Sequence, residues 1–179
     1  MKNIFLVRHC KADGQDPLAR LTDEGRVQAK QIAEFFKNES IDEIITSTFK
    51  RAIDSISPLC DERNLDYSVD TRLEEKVLSS LKLDNWMELL KESFDQLDIV
   101  YEGGESSKAA MNRGIEVIHE IMNGLNQNVV VVTHGALMTL IMKYFDNSIG
   151  YEEWRNLTNP DIYLLKIDDT NPMVERIWK

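Results

Sequence analysis

The sequence predicts an α/β fold, a three-layer sandwich with helices on both faces of a mostly parallel central sheet. Two observations carry this prediction. Short apolar runs that resemble buried strands occur at residues 3–7, 43–47 and 128–133. Between them lie longer segments whose apolar residues repeat at helical spacing. The chain has 179 residues and no internal repeat or Gly/Ser-rich linker, so we predict that residues 1–179 form a single domain.

The other elements are predicted in chain order from periodicity and capping signals. The first helix, in 21–36, begins at Thr22, a good N-cap residue, and two acidic residues follow it, as is common at helix N-termini. A second helix starts in 49–56, and Pro58 is expected to bend or interrupt it. Three more helices are predicted in 85–97, 103–125 and 135–145, and strands in 161–167 and 173–179 complete the sheet.

Composition and charge exclude several classes of function. The formal net charge is −10, which argues against broad nucleic-acid binding because phosphate backbones need a cationic face. Only two cysteines occur, so no disulfide framework is expected. The apolar run at residues 4–7 is shorter than a secretory signal, and the more hydrophobic segment 129–142 is short for a membrane span. We therefore expect a cytoplasmic protein without a membrane partner.

Polar residues that can bind a ligand or take part in catalysis follow the predicted strands. Arg8 and His9 come directly after the first strand, and His134 follows the strand at 128–133. Arg51 lies four residues past Ser47, in the first turn of the helix that follows the second strand. In sheets of this kind, ligands bind beyond the carboxyl ends of the strands. The sequence therefore predicts that these side chains converge on one site.

A metal centre is the first of three explanations for this cluster. Zinc sites usually contain a pair of ligands separated by two to four residues. His9 and Cys10 are adjacent instead, and the sequence has no HxH, HExxH or CxxC motif. We therefore predict no metal site and no cofactor.

A cysteine nucleophile is the second explanation. Cysteine-dependent phosphatases need an arginine six positions after the cysteine, so that one loop surrounds the phosphate. The residue six positions after Cys10 is Asp16, whose charge would repel that anion. Cys10 is therefore predicted to be a small packing residue.

A histidine nucleophile in an anion pocket is the third explanation, and it fits best. Arginine binds phosphate oxygens in bidentate fashion and stays charged, so Arg8 and Arg51 suit a phosphoryl group. The backbone amides that begin the helix after His134 add positive potential. A neutral histidine at position 9 can attack phosphorus and divide hydrolysis into two easier steps.

Several motifs in order along the chain resemble the histidine phosphatase superfamily, with its phosphoglycerate mutase-like fold, and in particular its small bacterial-type phosphatase branch. Any one of these motifs is weak alone, but the ordered set from residue 4 to residue 136 is specific. The matching stretches are LVRHC, LTDEGRVQA, STFKRA, RLEE, GGES and VVTHGA.

The resemblance implies a role for each site residue. His9 would be the nucleophile that becomes phosphohistidine, while Arg8, Arg51 and His134 would hold the phosphoryl oxygens. Glu75, in RLEE, would protonate the leaving oxygen and later deprotonate the attacking water. Gln15 stands where the family often has asparagine, and its amide can still donate a hydrogen bond to the phosphate.

The sequence departs from the family pattern after the predicted acid. The usual Gly-x-Trp-x-Gly run is replaced by KVLSSLKLDNW, so Glu74 remains an alternative to Glu75 as the acid. Residues 76–103 correspond to the region that shapes the opening of the substrate site in the family. In this region the substrate specificity of family members is the weakest guide to that of this chain.

The resemblance and the residues together predict an enzyme, a metal-independent phosphomonoesterase acting on a small phosphorylated metabolite. Three alternatives remain open at this stage. One is a phosphomutase of the phosphoglycerate mutase type, although such enzymes are longer. The others are a protein phosphohistidine phosphatase and a module that binds phospho-ligands without turnover.

Overall fold

One sheet of six strands lies at the centre of the computed structural model, which describes residues 2–168 and 172–179. Its strand order is β3-β2-β4-β1-β5-β6. The strands β1 to β4 run parallel to one another, whereas β5 and β6 are antiparallel to their neighbours. The predicted, mostly parallel sheet is therefore confirmed. The strands are β1 (Lys2–Arg8), β2 (Glu43–Thr46), β3 (Ser68–Val69), β4 (Asn128–Thr133), β5 (Asp161–Ile167) and β6 (Met173–Arg176).

Helices flank the sheet near the predicted positions. The Thr22 hydroxyl caps the first helix by accepting the backbone N–H of Gly25 at 3.0 Å. The second helix continues through Pro58, so the predicted interruption is wrong; packing of its apolar face on the sheet holds it together. The helices are α1 (Asp23–Phe35), α2 (Lys50–Arg63), α3 (Trp86–Asp95), α4 (Ser107–Asn123), α5 (Gly135–Phe145) and α6 (Tyr151–Asn156), with a 3₁₀ turn at Thr71–Leu73.

Two hydrophobic cores lie on opposite faces of the sheet. Alternate residues of β1 enter different cores: Ile4 and Leu6 pack with α4 and α5, whereas Phe5 and Val7 pack with α1 and α2. The four valines of β4 divide between the two faces in the same way. Burial on both faces explains why the central strands are continuous apolar runs. It confirms the three-layer sandwich.

The register of the parallel strands brings their carboxyl ends together. Arg8 of β1 is paired with Thr133 of β4, and the backbone N–H of His9 donates to the Thr133 carbonyl at 3.1 Å. On the other side of β4, the N–H of Ser47 donates to the carbonyl of Val132 at 2.9 Å. The residues that follow β1, β2 and β4 therefore lie side by side at one edge. Within the described residues, no helix is both long and apolar enough to cross a membrane.

Candidate active site

His9 lies at the centre of this edge with a defined tautomer. Its Nδ1 is 2.7 Å from the backbone carbonyl oxygen of Cys10. A carbonyl can only accept a hydrogen bond, so Nδ1 must carry the proton. In the neutral ring, Nε2 then has a free lone pair. The geometry thus leaves Nε2 as the ring nitrogen that could act as a nucleophile.

The surroundings of His9 keep this ring neutral. Burial lowers the pKa of His9 to about 3, and the positive charges of Arg51 and Arg8 act in the same direction. The hydrogen bond to Cys10 raises the pKa but does not offset the burial. Nε2 is therefore unprotonated at neutral pH, as an attacking imidazole requires.

Arg51, at the start of α2, is hydrogen-bonded to the unprotonated ring nitrogen of His9. Its Nε lies 3.3 Å from Nε2 of His9, with the N–H donating to that lone pair. The NH1 group donates to the backbone carbonyls of Gln15 and Asp16, which fixes the guanidinium. The side chain stacks over the ring of Phe49, with Cζ 5.0 Å from the ring centroid. Burial lowers the pKa of Arg51, but a guanidinium stays protonated in proteins.

His134 lies beside His9, and the centroids of the two rings are 5.0 Å apart. Nε2 of His134 is 2.8 Å from the hydroxyl oxygen of Ser47, whereas Nδ1 is buried and has no partner among the described residues. Ser47 Oγ also accepts the N–H of Phe49 at 3.2 Å. Burial, followed by the charges of His9 and Arg51, lowers the pKa of His134 well below its ordinary value. The unpartnered Nδ1 is thus available to a bound anion.

Arg8 approaches the same point from β1. Its NH1 donates to the backbone carbonyls of Leu157 and Thr158, at 3.1 and 3.2 Å. Its Nε is buried and finds no acceptor among the described residues. A side chain at Gly135 would place its Cβ 3.2 Å from this Nε, so the first residue of α5 must be small for the guanidinium to fit. Burial lowers the pKa of Arg8, while the Glu75 carboxylate raises it.

The Glu75 carboxylate is hydrogen-bonded to the start of α5. Its Oε2 accepts the N–H of Ala136 at 3.1 Å, and its Oε1 accepts the N–H of Leu137 at 3.0 Å and of Lys76 at 2.8 Å. Glu74 instead accepts the hydroxyl of Thr48. Glu75 lines a cleft together with Arg8, whereas Glu74 does not. Of the two candidate acids, the geometry favours Glu75.

The cleft beside Arg8 has a volume of about 360 Å³. Gln15 and Glu75 both line it, so the structure brings Gln15 to the predicted site. Trp86 and Trp154 also line it, with ring centroids 6.0 Å apart in an edge-to-face arrangement. A cleft of this size suits a small ligand. Its walls are Arg8, Gln15, Glu75, Lys76, Leu78, Trp86, Leu90, Ala136 and Trp154.

Sequence reasoning did not single out several residues that complete the site. Lys76 and Trp86 lie within residues 76–103, the region expected to shape the opening of the substrate site, but nothing marked them individually, and Trp154 lies outside that region. Asn159 donates from Nδ2 to the backbone carbonyl of His9 at 2.8 Å, which holds the turn after β1. For Lys76, its position directly after the predicted acid was a second signal.

Two predictions about this edge concern Cys10 and metals. Cys10 is fully buried in the core against α1 and α2, and burial raises the pKa of its thiol to about 12. It is a packing residue in this structure, as expected. Within residues 2–168 and 172–179, no three His, Cys, Asp or Glu side chains are grouped closely enough to hold a metal ion. The absence of a metal requirement remains a prediction.

The fold and this edge define a class of protein: an α/β enzyme whose neutral histidine lies among arginines in an anion pocket. The model of the histidine phosphatase superfamily (branch 1) matches residues 4–178. The chain belongs to this family. The predicted family and the prediction of a phosphatase are thereby confirmed.

Named relatives agree with this class. The chain is 28% identical over 155 residues to phosphoserine phosphatase 1 of Hydrogenobacter thermophilus, covering 77% of this chain and 73% of that protein. It is 29% identical over 136 residues to glucosyl-3-phosphoglycerate phosphatase of Mycolicibacterium vanbaalenii, covering 68% of this chain and 60% of that protein. Both relatives are named as phosphatases.

A solved structure matches over almost the whole chain. The complex of mycobacterial glucosyl-3-phosphoglycerate phosphatase with inorganic phosphate superposes with a TM-score of 0.78. The match covers 99% of this chain and 96% of that one at 21% identity. At this identity the match establishes the fold, which is the predicted phosphoglycerate mutase-like sandwich.

Proposed function

We propose that this protein hydrolyses phosphate monoesters of small alcohols through a phosphohistidine at Nε2 of His9. The observation that carries the proposal is the tautomer of His9. Its Nδ1 proton is committed to the Cys10 carbonyl, so the lone pair is on Nε2, which lies 3.3 Å from Nε of Arg51. A nucleophile held between fixed cations is what attack on an anionic phosphoryl group requires.

The proposed reaction has two displacements at phosphorus. In the first, Nε2 of His9 forms a bond to phosphorus, the ester P–O bond breaks, and Glu75 gives its proton to the departing alcohol oxygen. In the second, Glu75 takes a proton from water, whose oxygen attacks phosphorus while the P–N bond breaks. Inorganic phosphate leaves, and both His9 and Glu75 return to their starting protonation states.

The remaining polar residues would stabilise the charge of the transferring group. We assign Arg8, Arg51 and His134 to its equatorial oxygens, because all three lie near the His9 ring and two of them have buried nitrogens without a partner among the described residues. Gln15 would add an amide hydrogen bond from the cleft side. The guanidinium groups of Arg8 and Arg51 would supply charge that a metal ion supplies in other phosphoryl-transfer sites, so we propose a metal-independent reaction.

The substrate we propose is a small soluble metabolite. Phosphoserine and glucosyl-3-phosphoglycerate, the substrates in the names of two relatives, are both phosphate monoesters. The net charge of −10 disfavours a nucleic-acid or an anionic membrane surface as partner. Cys10 and Cys60 are both free thiols, which fits a reducing compartment, and we propose that the protein acts in the cytoplasm.

Phosphate release from a panel of phosphorylated metabolites and p-nitrophenyl phosphate tests this function, with His9→Ala beside the wild type. We expect release by the wild type, loss in the variant, and a radiolabelled intermediate that is stable in alkali and labile in acid, as a P–N bond is. Conversion of 3-phosphoglycerate to 2-phosphoglycerate without release would indicate a mutase instead. Binding without any turnover would indicate a recognition module.

A further inference from the structure

Lys76 is a buried cation that the proposed reaction does not use. It follows Glu75 directly and lines the same cleft. Its side chain is 7% exposed, and its Nζ has no hydrogen-bond partner in the described part of the chain. Lysine normally extends its ammonium group into water, because an unpaired charge in the protein interior is costly. A buried, unpaired Nζ beside a substrate cleft therefore lacks a counter-ion.

The carboxylates near Lys76 are already committed to other donors. Glu105 accepts two hydrogen bonds from the guanidinium of Arg113, at 2.6 and 3.2 Å. Both oxygens of Glu75 accept backbone N–H groups at the start of α5. Neither carboxylate lies within 4 Å of Nζ as an ion pair. The charges of Glu105 and Glu75 raise the pKa of Lys76 less than burial lowers it, and neither carboxylate gives Nζ a hydrogen bond.

Much of the lining that Lys76 shares is apolar. Leu78, Trp86, Leu90 and Trp154 line the same cleft. Apolar walls lower the local dielectric, which strengthens an ion pair formed between Lys76 and a bound anion. The same walls can cover the carbon skeleton of a small ester. The cleft thus offers one cation and an apolar surface beyond the site for the phosphoryl group.

Building on the proposed function, we propose that Lys76 is a specificity residue that selects phosphate monoesters whose alcohol part carries a carboxylate. The phosphoryl group would lie at His9, and the carboxylate would accept a hydrogen bond from Nζ of Lys76. A second phosphate group fits less well, because one ammonium group balances the single charge of a carboxylate but only half the charge of a phosphate dianion.

Matched pairs of esters test this inference by calorimetric binding to the His9→Ala protein, which does not depend on turnover. The pairs are 3-phosphoglycerate with glycerol 3-phosphate, phosphoserine with phosphoethanolamine, and phosphoglycolate with ethyl phosphate. We expect the carboxylated member of at least one pair to bind about tenfold or more tightly. Adding Lys76→Met should reduce this ratio to below about threefold, since methionine fills the space without the charge.

Lys82→Met is the matched control, because Lys82 is exposed in the same segment and lies outside the cleft; it should keep the wild-type ratio. Lys76→Gln provides a second variant if Lys76→Met does not fold by circular dichroism. The inference is overturned if no pair favours the carboxylate, or if both Lys76 variants weaken the two members of a pair equally. Failure of the proposed function would appear separately, as no release of p-nitrophenol by the wild type.

Discussion

The hydroxyl oxygen of Ser47 lies 2.8 Å from Nε2 of His134, and this contact joins the ends of β2 and β4 beside His9. Ser47 Oγ accepts the N–H of Phe49, and its own hydrogen can still be donated to Nε2. We predict that it is donated, which places the ring proton of His134 on Nδ1, the nitrogen without a partner among the described residues. With that tautomer, Ser47 is a positioning residue that prepares His134 to donate to an anion.

Removal of this hydroxyl should weaken catalysis more than substrate binding. In Ser47→Ala, the His134 side chain loses its only hydrogen bond among the described residues, and we expect kcat to fall about tenfold with little change in KM, a loss of about 1.4 kcal/mol. The unfolding free energy should fall by about 1–3 kcal/mol because a buried nitrogen is left unpaired. Steady-state kinetics on p-nitrophenyl phosphate and urea unfolding measure the two effects.

The matched control for that variant is Ser57→Ala. Ser57 donates to the carbonyl of Ile53 within α2 at 2.9 Å and contacts none of the site residues. Its kinetics should match the wild type. If Ser47→Ala also retained full kcat, the positioning role of Ser47 would be wrong.

Titration of His9 should make the folded protein lose stability in acid. The folded pKa of about 3 lies below the ordinary value of 6.5, so between these values the unfolded chain binds a proton that the folded chain does not. Stability therefore falls as the pH drops below about 6.5, by up to about 1.4 kcal/mol per pH unit for this group. Above that pH both states are neutral at this ring, and it contributes no pH dependence.

Urea unfolding at about pH 7.5 and about pH 5 measures this effect, with an expected loss from His9 of about 2 kcal/mol. Between the two pH values, the unfolding free energy of His9→Gln should fall by about 2 kcal/mol less than that of the wild type. His119→Gln is the control, since His119 is exposed on α4, and it should follow the wild type. Equal acid losses in the wild type and His9→Gln would show that the folded chain protonates His9 normally.

The residues that could be predicted from the sequence are those whose positions follow from local rules. Arg8, His9 and His134 each come at the end of a buried strand, and parallel strands bring such ends together regardless of the loops. Trp154 could not be placed in this way. It lies on the short helix α6, whose six residues show no usable periodicity, and only tertiary packing brings it against Trp86.

Glu75→Gln should distinguish an acid from a structural cap. A general acid matters most when the leaving group is a poor one, so we expect kcat/KM to fall about 100-fold or more on glycerol 3-phosphate. On p-nitrophenyl phosphate, whose phenolate leaves easily, the loss should stay below about fivefold. Glu74→Gln is the adjacent control, because Glu74 accepts a hydrogen bond from the hydroxyl of Thr48 and lies outside the cleft. Equal losses on both esters would remove Glu75 from the acid role.

Cys10→Ala should leave catalysis almost unchanged although Cys10 is next to the nucleophile. Burial raises the pKa of its thiol to about 12, so almost no thiolate exists at neutral pH. We expect kcat/KM within about threefold of the wild type and a stability loss of about 1 kcal/mol from the small cavity. Iodoacetamide should not inactivate the native wild type. A loss of activity as large as that of His9→Ala would revive the cysteine mechanism.

Prolonged dialysis against a chelator should leave phosphatase activity intact, because in the proposed reaction the guanidinium groups of Arg8 and Arg51 balance the charge of the phosphoryl group. The part of the chain that the structure describes holds no cluster of metal-binding side chains, and the rings of His9 and His134 lie side by side with centroids 5.0 Å apart. The measurement compares p-nitrophenyl phosphate turnover after dialysis with and without chelator, in buffer freed of metals. Activity that fell with chelator and returned on adding zinc or magnesium would mean that a metal ion, rather than the guanidinium groups alone, balances the charge on the transferring phosphoryl group.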